Sequence, residues 1–214
     1  MLQVIIDTSH QLQYVGMISG RKADVDSLFE DFSSIFLENG LPGRFHWNKL
    51  SVLSKNNLKN QLASALQRHN SVKLNIFKGI RPLGESRKDW FIYGFASRVA
   101  SKLESWLLDK KGEAAIIIDD DFNVIKGGTG TKRFAEVLLR QLSVRLTGKE
   151  STLRDSGGIL DASIKLPSGK LLSLSASIAA KNSELVGLAD IYLGLFIFNP
   201  NAFTDHKNVF LHKI

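Results

Sequence analysis

Apolar and polar positions alternate from the first residues. Leu2 to Ile6 and Gln13 to Ile18 are short β-type runs joined by the mostly polar TSHQLQ, which predicts an opening pair of antiparallel strands with Asp7 closing the first. From Asp24 to Glu38 the pattern changes period. Val25, Leu28, Phe29, Phe32, Ile35 and Phe36 keep helical spacing, and Gly40 with Pro42 ends it. After RFHWNKL, Leu58, Leu62, Ala65 and Leu66 predict a second helix from about Asn56 to His69. Val72, Leu74 and Ile76 then alternate with Lys73 and Asn75, a strand that runs to Phe77.

The loop KGIRPLGES leads to a long helix from about Arg87 to Lys110, with Ser86 as its expected N-cap. Its stripe of Trp90, Phe91, Gly94, Phe95, Val99, Leu103, Trp106 and Leu107 reads as core, not as a platform for stacking bases. Next comes AAIIIDDD, Ala114 to Asp121, an apolar run tipped with acids, read as a buried parallel strand. A helix from about Thr131 to Leu146 follows, and Ser151 to Gly158 reads as a loop. Leu160 to Leu166 and Leu172 to Ile178 alternate around the turn PSG, predicting a hairpin with one wet face. The last helix runs from about Ser183 to Phe198 and breaks at Asn199-Pro200, leaving a tail from Asn201 to Ile214 with no clear pattern.

Strands alternating with helices predict an α/β fold. The chain has 214 residues and no linker-like composition, so residues 1–214 are read as a single domain. No apolar run approaches the about 20 residues of a membrane span, and no leader pattern opens the chain. With no cysteine, disulfides and thiolate metal sites are excluded, and the expected compartment is the cytoplasm. The net charge of +7 favours an anionic partner, most commonly nucleic acid. Lys126, Lys132, Arg133, Arg140, Arg145 and Lys149 lie in or beside the helix that follows GGTGTK, against Glu136 and Glu150 alone. That face is the expected contact for a phosphate backbone. GGTGTK itself lacks the spacing of a phosphate-binding loop and reads as a flexible turn.

The candidate chemistry is carboxylate chemistry. Asp7 closes VIID, Asp119 begins the acidic tip of its strand, and Asp190 lies inside the apolar VGLADIYLGLFIF. A carboxylate in such surroundings needs a partner or a cation. No GxSxG, HExxH or Rossmann glycine pattern competes. Asp7, His46 in FHWNKL, Asp119 ending IIID and Asp190 in LVGLADIYLG together resemble the DUF3800 family of the ribonuclease H-like superfamily. The resemblance implies a ribonuclease H-like fold, a mixed β-sheet flanked by helices, whose three aspartates hold Mg²⁺ or Mn²⁺ for phosphodiester hydrolysis in DNA or RNA. It also implies that His46 orients a water or touches phosphate; a structural histidine bonded to backbone is the alternative.

The chain departs from that family at its start, where Asp7-Thr8-Ser9 replaces Asp-Glu-Ser. Asp120, Asp121, Asp161 and Glu184 are the acids that could substitute, although strand alternation sends Asp119 and Asp120 to opposite faces and Asp121 reads as a turn residue. Without a metal, Asp7 and Asp119 would cap loops or helices, and Asp190 would pair with an arginine. Two rival readings remain: a catalytically inactive nucleic-acid-binding module, and a protein-interaction subunit or homo-oligomer using Phe196, Phe198, Phe203, Val209 and Phe210 as an exposed patch.

Overall fold

Strand β1 (Leu2–Ser9) is buried on both faces, which accounts for its nearly unbroken apolar run. Val4 and Ile6 enter one core cluster and Ile5 enters a second on the other side. In this computed structural model, residues 1–9, 13–43, 45–79, 85–109, 113–120, 130–179 and 183–213 are described, with backbone alone for Ser9, 85–91 and Asp109. β1 is followed by β2 (Tyr14–Arg21), α1 (Lys22–Glu38), α2 (Val52–Arg68), β3 (Lys73–Lys78), α3 (Glu85–Asp109) and β4 (Glu113–Ile118). The second half contributes α4 (Gly130–Thr147), β5 (Leu153–Ser156), β6 (Ile159–Lys165), β7 (Leu171–Ile178), α5 (Glu184–Phe198) and β8 (Val209–Lys213).

The strands form one eight-stranded mixed sheet in the order β5-β6-β7-β4-β1-β2-β3-β8. β1 pairs in parallel with β4, β4 with β7 and β3 with β8, while the other neighbours are antiparallel. Helices α3 and α4 cover one face, where Phe95, Val99, Leu138 and Leu142 meet Val4, Ile6, Ile116 and Leu174. Helices α1, α2 and α5 cover the other, where Leu28, Phe32, Leu62 and Leu193 meet Ile5, Ile18 and Ile76. The chain is therefore an α/β fold with helices on both sides of a mixed sheet. Among the described residues no helix is long and apolar enough to cross a membrane.

Several boundaries differ from the sequence pattern for identifiable reasons. Helix α2 begins at Val52, not near Asn56, because Ser51 caps it by accepting the Ser54 N–H at 3.1 Å. Val52 and Leu53 are 67% and 71% exposed, so their apolar character obscured the amphipathic period there. Ser86 lies inside α3, one residue past its start, and is not the N-cap. The segment read as a loop holds β5, a polar edge strand formed through pairing with β6 across the Gly157-Gly158 turn. The tail becomes a 3₁₀ turn, Pro200–Phe203, and strand β8.

In α3, Gly94 has space around it: a Cβ there would meet nothing within 4 Å. Gly94→Ala should therefore stabilise the protein by about 0.5–1 kcal/mol through helix propensity alone. A thermal melt followed by circular dichroism should show an increase of roughly 2–4 °C. An unchanged or lowered midpoint would reveal a packing role for this glycine.

Candidate metal centre

Strand register brings Asp7 and Asp119 together. β1 and β4 run in parallel with Ile6 opposite Ile118, and the Asp119 N–H donates to Ile6 O at 2.9 Å, so the ladder continues one step past β4. Ile5 and Ile117 both pack toward α5. Two residues later Asp7 and Asp119 share that face, on strands about 4.8 Å apart.

The third carboxylate arrives on α5. Asp7 is paired across β1 and β2 with Gly16, and a Cβ at Gly16 would stand 3.1 Å from Leu193 Cβ. The missing side chain lets α5 settle against the sheet beside Asp7. Asp190 lies one turn before Leu193 and is carried over the same place. Gly187, Asp190 and Gly194 form one row of α5, and the segment Phe45–Trp47 lies across it. A Cβ at Gly187 would come within 2.7 Å of Phe45 O, and one at Gly194 within 2.5 Å of Trp47 Cβ. The two glycines are thus seats for Phe45 and Trp47. Between them Asp190 Oδ2 accepts the Trp47 N–H at 2.9 Å and stands 3.4 Å from His46 Nδ1.

Electrostatics follow from this packing. Asp7 is 1% exposed, and neither of its carboxylate oxygens has a hydrogen-bond partner of good geometry. Burial, then the charges of Asp190 and Asp119, push its carboxyl well above the ordinary range; the nearby Thr8 amide offsets this only in part. Burial also raises Asp190, against the opposing effects of the Trp47 N–H and His46, and Asp119 adds to the rise. Asp119 Oδ1 accepts the Asp120 N–H at 2.7 Å. One oxygen each of Asp119 and Asp190 is thereby occupied, while both oxygens of Asp7 are orphaned between them.

The residues fit a hard divalent cation. Three carboxylates with Asp7 unsatisfied form an oxygen donor set suited to Mg²⁺ or Mn²⁺, and a positive ion would relieve both the burial and the mutual repulsion of the acids. As they stand, no group of three or more acids or histidines among the described residues is placed to hold a metal ion. In place of the arginine of the metal-free alternative, His46 and the Trp47 amide stand beside Asp190 among the described residues.

Other acids stand apart. Thr8, at the position of the family's glutamate, pairs with Val15, whose side chain belongs to the α3–α4 core on the opposite face. Asp161 lies level with Gln3 through Ser175 and Ala115. It is therefore about 13 Å along the strands and about 14 Å across them from Asp7. Glu184 is exposed at the start of α5, Asp120 follows Asp119 in a turn, and Asp121 lies outside the described residues.

The expected basic face is on the other side of the sheet, on α4. There Lys132 pairs with Asp155 at 2.6 Å and Arg140 with Glu150 at 2.6 Å, and Arg133 lies 5.9 Å from the Tyr93 ring centre. Lys126 lies outside the described residues. The aromatic patch proposed for a protein partner is dispersed: Phe203 is buried and stacks on Phe196, Phe198 packs on Trp47, and Phe210 faces the α3 side.

Sequence reading missed the glycine seats and the roles of Phe45 and Trp47. The available signal was the row of small residues around a lone acid, G-x-x-D-x-x-x-G, in an otherwise apolar helix. The chain matches no protein-family model, and no curated protein aligns with it significantly.

Proposed function

We propose that this chain is a divalent-metal-dependent nuclease of ribonuclease H-like character, acting on phosphodiester bonds in DNA or RNA. The observation that carries this reading is the buried Asp7 carboxylate, orphaned at both oxygens beside Asp119 and Asp190. A mixed sheet with helices on both faces, and acids from the first strand, a later strand and the last helix, agrees with the family resemblance. When bound, Mg²⁺ or Mn²⁺ would supply positive charge against the scissile phosphate. Asp7, Asp119 and Asp190 would hold it. His46, 41% exposed at the side chain and tethered through Nδ1 to Asp190, would present Nε2 to a water or a phosphate oxygen and exchange a proton there.

A second reading, an inactive nucleic-acid-binding module of the same fold, is favoured by Thr8 in place of the glutamate and by the distance of Asp161 from the acids. Calorimetric titration with Mn²⁺ of the wild type beside Asp119→Asn separates the possibilities. Saturable binding in the wild type and its loss in the variant support the centre. Chelator-sensitive cleavage of labelled DNA or RNA then supports the nuclease, and binding without cleavage supports the inactive module. Equal heats from both proteins would overturn the metal centre.

A further inference from the structure

Of the described α4 cations, Lys132, Arg140 and Arg145 are each paired with an acid. On β8, Phe210 and His212 are opposite Asn75 and Phe77 of β3 and share the α3 side of the sheet. His212 stacks on Phe77 with ring centres 4.9 Å apart, and its Nε2 is 3.0 Å from Asn75 Oδ1. Arg98 and Lys102 on α3 are both exposed and lie close enough to His212 for their charges to act on it. Neither forms an ion pair among the described residues. Lys73 completes the row with its ammonium 4.6 Å from the Trp106 ring centre. The described acid nearest in sequence, Glu104, is engaged by Arg145 at 3.3 Å. His212 senses the resulting potential: burial first, then Lys102 and Arg98, hold its imidazole below the usual range. At the carboxyl end of the same edge, Lys78 and Lys213 are register partners on the face that carries Asp7. Tyr14, opposite Lys78 on β2, lies 5.6 Å from its ammonium.

We infer that the α3–β3–β8 edge is a binding track for single-stranded nucleic acid, with Lys73, Lys102 and Arg98 on its phosphates and Phe210 as a stacking surface. The inference deepens the proposed function by naming where the strand lies. Charge complementarity selects a polyanion, because phosphate neutralisation by lysine and arginine releases counterions. The 37% exposed Phe210 ring among these cations selects unpaired bases, whose faces are free to stack. The track lies on the α3 side of the sheet and the acids on the α5 side; the two approach each other at the carboxyl end of β3 and β8, where Lys78 and Lys213 stand on the face of Asp7.

Fluorescence anisotropy of the full chain with a 5′-fluorescein single-stranded oligonucleotide, in the presence of EDTA, tests the track without any cleavage. Arg98→Glu/Lys102→Glu should lower affinity at least 10-fold and reduce the slope of log affinity against log salt by roughly 1.4, for two phosphate contacts. Phe210→Ala should lower affinity by about 5- to 100-fold with the salt slope kept. Lys165→Glu/Lys170→Glu, the same charge change on the β6–β7 hairpin, controls for net charge, and melting curves confirm that each variant is folded. An equal loss in that control, a larger loss in Lys132→Glu/Arg140→Glu, tighter binding to duplex than to single strand, or no binding by the wild type would each overturn the inference. The metal centre stands or falls separately, on the Mn²⁺ titration.

Discussion

Asp7→Asn should melt at a higher temperature than the wild type at pH 8 in the absence of metal, and should lose the stabilisation that Mn²⁺ gives the wild type. The reason is that burial and the neighbouring Asp190 and Asp119 disfavour the ionised Asp7 carboxylate, and the nearby Thr8 amide offsets this only in part. An asparagine of the same shape removes the charge and offers an NH₂ donor to Asp119 or Asp190. Relief of a buried, unpaired charge is worth about 1–3 kcal/mol after relaxation. That corresponds to roughly 3–10 °C in a protein of this size.

The pH dependence has a definite sign. Burial and the neighbouring carboxylates raise Asp7 and Asp190 in the folded state, so the folded chain retains protons that the unfolded chain releases. Their contribution to stability is complete below the unfolded carboxylate range and is lost as pH rises through the folded values. The metal-free wild type should therefore lose stability from about pH 4 upward, with a shallower decline in Asp7→Asn. Mn²⁺ should reverse the trend, because it binds the ionised carboxylates; at 100 times its dissociation constant it adds about 2.7 kcal/mol. Melting curves between pH 4 and 8, with and without Mn²⁺, decide the matter. Identical curves for both proteins under all four conditions would remove Asp7 from any metal centre.

Gly194→Ala should destabilise the protein and weaken Mn²⁺ binding together. The added methyl would overlap Trp47, whose ring and Cβ occupy the seat that glycine leaves open. Overpacking of this kind costs about 1–3 kcal/mol, since neither the α5 backbone nor a buried indole yields easily. Displacement of Trp47 also moves the N–H that Asp190 Oδ2 accepts and the adjoining His46. Loss of such an orienting contact typically lowers metal affinity about 10- to 100-fold. The comparison with Gly94→Ala is informative, because the same substitution in another helix should have the opposite effect on stability. A Gly194→Ala protein with wild-type melting and Mn²⁺ affinity would show that the Phe45–Trp47 segment does not support the site.

The contrast between these two glycines also marks the limit of what the sequence discloses. Both sit inside helices with apolar neighbours, and nothing local distinguishes them. Only the neighbouring chain, Trp47 at one and open space at the other, gives them different roles. Strand β8 is a similar case. Its start is held by Asn208, whose Nδ2 donates to Leu66 O and Val72 O, each at 2.9 Å. No apolar period announces a strand secured by a buried amide to residues 142 and 136 positions away. β5 likewise owes its strand form to its pairing with β6, not to its own polar residues.

The basic surface shows why charge counting along a chain is a poor guide to free charge. Lys132 and Arg140 belong to a segment with many cations and few acids of its own, yet Asp155 and Glu150 fold back onto them. Lys73 is on β3 and Arg98 and Lys102 are on α3, and it is the packing of α3 on the sheet that brings these two elements together, with Lys73 against Trp106.

The periodicities of the chain by themselves determined the alternation of helices and strands, the buried character of β1 and of one face of β4, and the appearance of aspartates at unusual apolar positions. Each is a local property, set by which side chains must leave water on a helix or strand of known repeat. Tertiary structure alone decided that Asp7, Asp119 and Asp190 lie near one another, that His46 is tethered to the last of them, and which of the described lysines and arginines find acidic partners. Those outcomes depend on strand register and on close packing between segments far apart in the chain, and neither is encoded in any single window of residues.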